Sequence, residues 1–294
     1  MAEDRILGFT IPGRAARGRV VRLGTTLNEI LAAHAYPEPV ARLVAETLAL
    51  TALLGSLFRP DDGQMTVQAK GEGGPIRLLV ADWRQGELRG YASQDLDRRY
   101  PPVEEGRSAG LEAMLGSGYL AITLDQTASA ERYQGIVALG GDTLEASAQG
   151  YFADSEQLPT LVRLAARRNG DGVWMAGGLV VQHLPRAEEG VARLHLDSGL
   201  ADWAHVEALA STVTPDELTD PSLSLETLLW RLFNEDEVRV LPDVPLSRGC
   251  RCSVEHIRNV LEQFPEEERA GMRNADGVIA VDCEFCSQQF LLAL

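Results

Sequence analysis

The 294-residue chain is 45% apolar and 24% charged, the balance of a folded globular protein, and it is long enough for one large core with one or two small modules. A formal charge of −16 argues against nucleic-acid binding, which demands a basic surface. The opening Met1-Ala2-Glu3-Asp4-Arg5 predicts no signal peptide, and the most hydrophobic window, 43–58, reads as too short to span a bilayer and is interrupted by Glu46, so the expectation is a cytoplasmic protein with reduced thiols.

In chain order, residues 5–11 and 16–23 read as strands joined by a Pro12-Gly13 turn. Thr26-Leu27-Asn28-Glu29 reads as a capping box that opens a short helix to about Ala35. Pro37 or Pro39 then starts a longer helix to about Phe58, the predicted central helix. Val40, Leu43, Val44, Leu48 and Leu54, with the half-polar Thr47, give it a broad apolar face.

From residue 65 the apolar period changes. Residues 65–70, 76–83 and 87–92 read as strands split by Gly71-Glu72-Gly73-Gly74-Pro75 and by Gln85-Gly86. The glycine cluster has neither dinucleotide nor Walker spacing and leads into a strand, so it reads as a hairpin turn. A flexible interval from Pro101-Pro102 to Gly118 precedes strands at 119–124 and 133–139, and a helix runs from 144 to about 152. A final hairpin, 162–167 with 173–182, turns at Asn169-Gly170-Asp171-Gly172. Runs of strands without regular strand-helix alternation predict an α+β fold with a mainly antiparallel sheet, assigned to an N-terminal domain of residues 1–183.

Residues 184–240 read as an acidic helical linker. Between Arg186 and Leu246 thirteen acidic side chains stand against Arg186, Arg193, Arg231 and Arg239, a stretch that would repel phosphate. Residues 199–213 are weakly helical, Thr214-Pro215 interrupts them, and 222–233 forms a compact helix. Its Leu225, Leu228, Leu229, Leu232 and Phe233 cannot all hide on one narrow stripe. They must lie against something, and the open face of the preceding sheet is the natural partner.

Residues 241–294 form the predicted terminal module. Cys250-Arg251-Cys252 and Cys283-Glu284-Phe285-Cys286 hold the only four cysteines, all within the final 45 residues. Two close pairs, each offering two sulfurs on one loop, suit a tetrahedral four-cysteine zinc site; disulfides or unpaired core thiols are the alternatives. Four protein ligands leave no open position for a catalytic water, so the plainest role is structural. Arg248, Arg251 and Arg258 are expected to offset the double negative charge of such a site. Ser253 can cap a helix with Val254, Ile257, Val260, Leu261 and Phe264 on one side, and 277–281 reads as the strand leading into the second pair. So short a segment does not fold dependably on burial alone, which makes the metal a structural requirement.

No motif of an ordinary enzyme is present: Gly-x-Ser-x-Gly, His-Glu-x-x-His and the Walker loop are all missing from the sequence. His256 is read as a helix-surface residue in preference to a fifth ligand, His183, His195 and His205 as solvated, and Ser155-Glu156 lacks a histidine partner. A thiol-disulfide oxidoreductase using Cys283 and Cys286 would place them at a helix start, whereas here they follow a strand. A passive zinc scaffold is the other rival reading.

The run Tyr151-Phe152-Ala153-Asp154-Ser155-Glu156-Gln157-Leu158-Pro159-Thr160 resembles a signature of the thirty-three-kilodalton heat-shock protein family, the redox-regulated holdase chaperones. Arg17-Gly18-Arg19-Val20-Val21-Arg22-Leu23, Tyr133-Gln134-Gly135-Ile136-Val137, Leu232-Phe233-Asn234-Glu235 and the two cysteine pairs look like further family blocks in the same order. The resemblance implies one zinc ion held by Cys250, Cys252, Cys283 and Cys286 in the reduced, inactive protein. It implies that peroxide or hypochlorite with unfolding stress forms Cys250–Cys252 and Cys283–Cys286 disulfides and releases the metal. Ejection of the linker would then expose Leu225, Leu228, Leu229, Leu232, Phe233 and the sheet face beneath them to unfolded client proteins. A homodimer when oxidised and hand-over of clients to ATP-driven chaperones are also implied, with no nucleic-acid or membrane partner. Two positions depart from the pattern: Gly249 stands where an aromatic is expected, and Ser287 where glycine is usual.

Overall fold

A computed structural model describes residues 4–57, 63–101, 110–125, 132–140, 142–184 and 196–293. The first hairpin follows the sequence: β1 (Arg5–Ile11) and β2 (Ala16–Leu23) flank a single 3-10 turn, Pro12–Arg14. Helix α1 (Thr25–Leu31) does not use the expected capping box. The Asp4 carboxylate instead accepts the N–H of Gly24 at 2.5 Å and that of Thr26, so a side chain distant in sequence replaces the local cap.

Helix α2 (Glu38–Leu57) is buried on every side rather than on one face. By length and composition it could cross a membrane, contrary to the reading of the 43–58 window, but 89% of its apolar window lies inside the fold. It is a core helix; Phe58 lies outside the described residues. Strands β3 (Gln64–Gly73), β4 (Ile76–Arg84) and β5 (Glu87–Gln94) follow. Part of the interval expected to be flexible is ordered: α3 (Leu111–Leu115) buries Leu111, Met114 and Leu115, whereas 102–109 lie outside the described residues.

Strands β6 (Gly116–Asp125) and β7 (Arg132–Ala138) lead to α4 (Leu144–Tyr151), a π turn at Phe152–Glu156, and the hairpin β8 (Thr160–Arg168) and β9 (Trp174–His183). The glycine cluster is mostly strand: Gly71 and Gly73 pair with Gly118 and Gly116, which leaves the turn to Gly74-Pro75. A Cβ on Gly71 would meet the Leu115 carbonyl oxygen at 2.1 Å, so close backbone approach accounts for glycine there.

The helical segment comprises α5 (Leu196–Ala210), α6 (Pro215–Thr219) and α7 (Leu225–Phe233). Thr214 and Glu217 form a full capping box on α6, and Ser224 caps α7. Three short strands come next, β10 (Arg239–Val240), β11 (Val244–Pro245) and β12 (Ser247–Arg248). The chain closes with α8 (Val254–Leu261), α9 (Glu266–Met272), β13 (Ile279–Asp282) and β14 (Gln289–Leu292).

Two six-stranded sheets enclose α2. Sheet A runs β10-β1-β2-β9-β8, with β11 also on β1, and sheet B runs β12-β5-β4-β3-β6-β7. All pairings are antiparallel except β12 with β5. Alternation along the strands sends Val21, Leu23 and Val180 of sheet A and Val67, Leu79 and Ile122 of sheet B into one core around α2.

The opposite face of sheet A presents Leu7, Phe9, Ile11, Val20, Leu179 and Val181, and α5 to α7 cover it. Leu225, Leu228, Leu229, Leu232 and Phe233 are all buried there, with the Phe9 and Phe233 rings 5.7 Å apart. Each such side chain stabilises the docked segment by about 1.5–3 kcal/mol relative to exposure. The acidic excess also has local partners. Arg5 grips Glu226 through two contacts of 2.8 Å, Arg14 bridges Asp202 at 2.9 Å and Asp236 at 2.8 Å, and Arg167 meets Asp216 at 2.6 Å. Beneath this rim Arg22 is buried and donates to the carbonyls of Glu217 (2.9 Å), Leu218 (3.1 Å) and Leu223. His205, expected to be solvated, is bound to Asp236 at 2.9 Å; His183 is half-buried near Trp203, and His195 lies outside the described residues.

Candidate metal centre

The first cysteine pair follows β12, whose parallel pairing with β5 fixes where the loop begins. The second occupies the tight connection between β13 and β14, where Cys283 N–H donates to Gln288 O at 2.9 Å and Ser287 N–H to Cys283 O at 2.7 Å. A small core of Leu261, Ile279, Phe290 and Leu292 sits behind the sulfurs, with Ile257 and Val281 partly buried against it. Ser253 caps α8 as expected, but Val254, Val260 and Phe264 of its apolar stripe are exposed. Little burial therefore supports this module.

The four Sγ atoms lie within 4.8 Å of one another. Cys250 and Cys252 are 3.2 Å apart, Cys252 and Cys286 3.4 Å, and Cys250 and Cys283 3.6 Å. Sulfurs bound at about 2.3 Å around a tetrahedral ion lie roughly 3.8 Å apart, so the cluster fits one ion with modest adjustment. Burial opposes ionisation of Cys250, Cys252 and Cys283. At Cys250 the Cys252 N–H and the neighbouring sulfurs outweigh it and bring the thiol down to about 7. Burial, then the neighbouring sulfurs, hold Cys252 and Cys283 above the ordinary thiol value. Such a cluster carries one negative charge readily and four only when a cation compensates them. His256 is exposed and stands outside the cluster.

The arginines are arranged differently from the expected charge shield. Arg251 donates to Gln64 Oε1 of β3, while Arg248 and Arg258 are exposed. Phe285 lies over the Arg89 guanidinium at 4.1 Å and meets Tyr91 edge-on at 5.0 Å, both residues of β5. His34 reaches Phe285 O and Ser287 Oγ, each at 3.4 Å. Gln64, Arg89, Tyr91 and His34 were missed in the sequence because no local pattern ties them to a cysteine far away in the chain.

Both departures noted in the sequence have structural accounts. A Cβ on Gly249 would stand 2.5 Å from the Glu87 Cβ, so an aromatic side chain has no room beside β5. Ser287 has φ +55°, a left-handed conformation that favours glycine. Ser155-Glu156 is structural: Glu156 accepts hydrogen bonds from the Tyr133 and Tyr151 hydroxyls at 2.8 Å each.

A family model described as Hsp33 protein matches residues 4–293. The chain is 44% identical to a 33 kDa chaperonin of Caulobacter vibrioides, covering 99% of this chain and 95% of that one. It is 39% identical to a 33 kDa chaperonin of Azotobacter vinelandii, covering 96% and 89%. The solved 33 kDa chaperonin of Thermotoga maritima shares the fold at a TM-score of 0.83 and 22% identity, covering 99% and 94% of the two chains. With its α+β sheets, its four-sulfur cluster and this match along almost its full length, the chain belongs to the Hsp33 family.

Proposed function

We propose that this protein is a cytoplasmic, ATP-independent holdase chaperone switched by oxidation, with one zinc ion held by Cys250, Cys252, Cys283 and Cys286 in the reduced state. The observation that carries this reading is the convergence of all four cysteines on one point in a chain of this family. In this reading residues 1–183 are the chaperone core, 184–240 the linker and 241–294 the redox module. Zinc supplies the positive charge that lets four thiolates share the site. The protein works by binding clients, not by turnover.

Thiolates are the oxidisable form of cysteine. Two peroxide molecules and four protons take four electrons from the four thiolates, giving the Cys250–Cys252 and Cys283–Cys286 disulfides, four waters and a released Zn2+. Each closure brings its sulfurs to about 2.05 Å and removes two anionic ligands. The Cys-x-x-Cys pair closes easily, and the tighter Cys-x-Cys ring closes more slowly.

Loss of the ligands unfolds a module that has little core of its own. Strands β10 to β12, which carry the chain from α7 to the first cysteine pair, pair with β1 and β5. Their loosening frees the linker, so that Leu225, Leu228, Leu229, Leu232, Phe233 and the sheet A face beneath become a surface for unfolded polypeptide. The −16 charge helps keep that state soluble. The oxidised form acts as a homodimer and passes clients to ATP-driven chaperones.

The test follows zinc release together with light scattering from a heat-unfolding client, before and after peroxide. The expected result is one zinc per reduced chain and suppression of scattering only after oxidation. Equal suppression in both states would remove the switch, no suppression in either would remove the chaperone, and turnover of a dithiol substrate would favour the oxidoreductase.

A further inference from the structure

Of the residues between the paired cysteines, Arg251 and Phe285 each contact sheet B at one polar row. Arg89, Asp82, Thr66, Thr123 and Gln134 stand in register across β5, β4, β3, β6 and β7. Both ends of the Arg89, Asp82 and Thr66 section grip the metal-site loops. At one end Arg251 donates to Gln64, whose amide donates to Thr66 Oγ1 at 3.1 Å; the Thr66 hydroxyl donates to Asp82 Oδ1 at 2.6 Å. At the other end the Arg89 guanidinium meets Asp82 Oδ2 at 2.7 Å and carries the Phe285 ring on its face at 4.1 Å. Asp82 is 2% exposed, and its two carboxylate oxygens are divided between the two arms.

Closing a disulfide requires its loop to rotate, because sulfurs 3.2 Å or more apart must come to bonding distance. A loop whose intervening side chain is anchored on a rigid sheet rotates less freely. We infer that Gln64 and Arg89 are positioning residues that restrain the two loops separately: Gln64, through Arg251, slows closure of Cys250–Cys252, and Arg89, through Phe285, slows closure of Cys283–Cys286. The inference rests on the four-sulfur site being the redox switch, and it adds that sheet B, on the side of the molecule away from the linker, sets the order in which the two pairs close. The redox balance is that given above, with peroxide as the oxidant for each pair.

The experiment uses the full reduced chain with Gln64→Ala and Arg89→Met. Each variant and the parent are exposed to a fixed peroxide concentration and quenched by alkylation at intervals, and each disulfide is counted by peptide mass spectrometry. Gln64→Ala is expected to speed Cys250–Cys252 closure about fivefold, the factor matching the net worth of one hydrogen bond, and to leave the other pair unchanged. Arg89→Met is expected to speed Cys283–Cys286 selectively. If Arg89→Met does not fold, Phe285→Leu removes the same ring-on-guanidinium contact from the other side. Unchanged rates, or equal acceleration of both pairs in each variant, overturn the inference, since general loosening of the module does not discriminate between the loops. A parent protein that carries no zinc would instead count against the switch itself, and that result precedes any comparison of variants.

Discussion

The two sheets hold their covers by different physics. Sheet A holds α5 to α7 through a continuous apolar layer, Phe9, Ile11, Val20 and Leu179 against Leu228, Leu229 and Phe233, and the arginine rim adds charge complementarity. Sheet B holds the cysteine loops through a polar row and one aromatic contact, and the core cluster behind them is small: Leu261, Ile279, Phe290 and Leu292. The first cover answers to whatever weakens burial, the second to whatever removes its metal. On the function proposed above, the polar cover would be the one that oxidant acts on directly and the apolar cover the one that follows.

Metal removal should separate the two regions most sharply. Structural zinc contributes about 10–16 kcal/mol in small zinc peptides, comparable to or above the roughly 5–15 kcal/mol of a whole domain. A strong chelator is therefore expected to abolish amide protection in β13 and β14 while the strands around α2 keep theirs, measured by hydrogen exchange. Persistence of protection in β13 and β14 after complete metal loss would mean that the four-residue core suffices alone.

Phe233→Ala addresses the other cover. Truncating a fully buried phenylalanine costs about 3–5 kcal/mol, and Phe233 is 0% exposed against Phe9. The reduced, zinc-loaded variant should bind a hydrophobic dye and lose protection in α7, with its zinc content unchanged. Loss of zinc in step with α7 would show that the two covers are one cooperative unit.

The same contrast explains what could be read from the chain. Elements set by local periodicity were legible: both first strands, the β8–β9 hairpin, α7 with its five apolar side chains, and the cysteine pairs all fall where alternation, turn residues and ligand spacing put them. Long-range polar contacts were not. Asp4 capping α1, Arg22 serving three linker carbonyls, and Gln64 with Arg89 seating the cysteine loops leave no periodic trace, because each is one side chain meeting a backbone, a guanidinium or a ring from elsewhere. The acidic count in the linker was visible, but its arginine partners lie in β1, β8 and the turn after β1, where nothing marks them as a docking rim. The exposed stripe of α8 is the opposite error: an amphipathic pattern was legible, yet the module is too thin to bury it.

Ser287→Gly sharpens the comparison on the module side. A residue with a Cβ in the left-handed region costs roughly 1–2 kcal/mol relative to glycine, and the Ser287 hydroxyl returns only a 3.4 Å contact with His34. The substitution is expected to stabilise the zinc-loaded module by about 1 kcal/mol, read as slower zinc transfer to a chelator, with no change in α7 protection. Faster transfer would mean that the His34 contact outweighs the backbone term.

Acid should give the smallest effect, confined to the linker rim. Arg5 holds Glu226 below the ordinary carboxylate range; burial pushes Asp236 up, but Arg14 and His205 outweigh it and bring it down. A carboxylate depressed in the folded state adds stability that is complete above its unfolded pKa, about 4, and is lost as pH falls through the lower folded value. Docking of α5 and α7 should therefore be insensitive to pH near neutrality and weaken only below about pH 4. Each partly exposed pair is worth about 0–1 kcal/mol, so the slope is shallow. Zinc also leaves as thiolates protonate, so zinc content is followed alongside α5 and α7 protection against pH, and the rim's share is read as the difference between the parent and a rim variant. Arg14→Gln, which removes the arginine shared by Asp202 and Asp236 and leaves Asp236 with His205, should flatten that profile. An unaltered profile would assign the whole of the linker's hold to the apolar layer and leave the arginine rim a role in steering the segment onto sheet A.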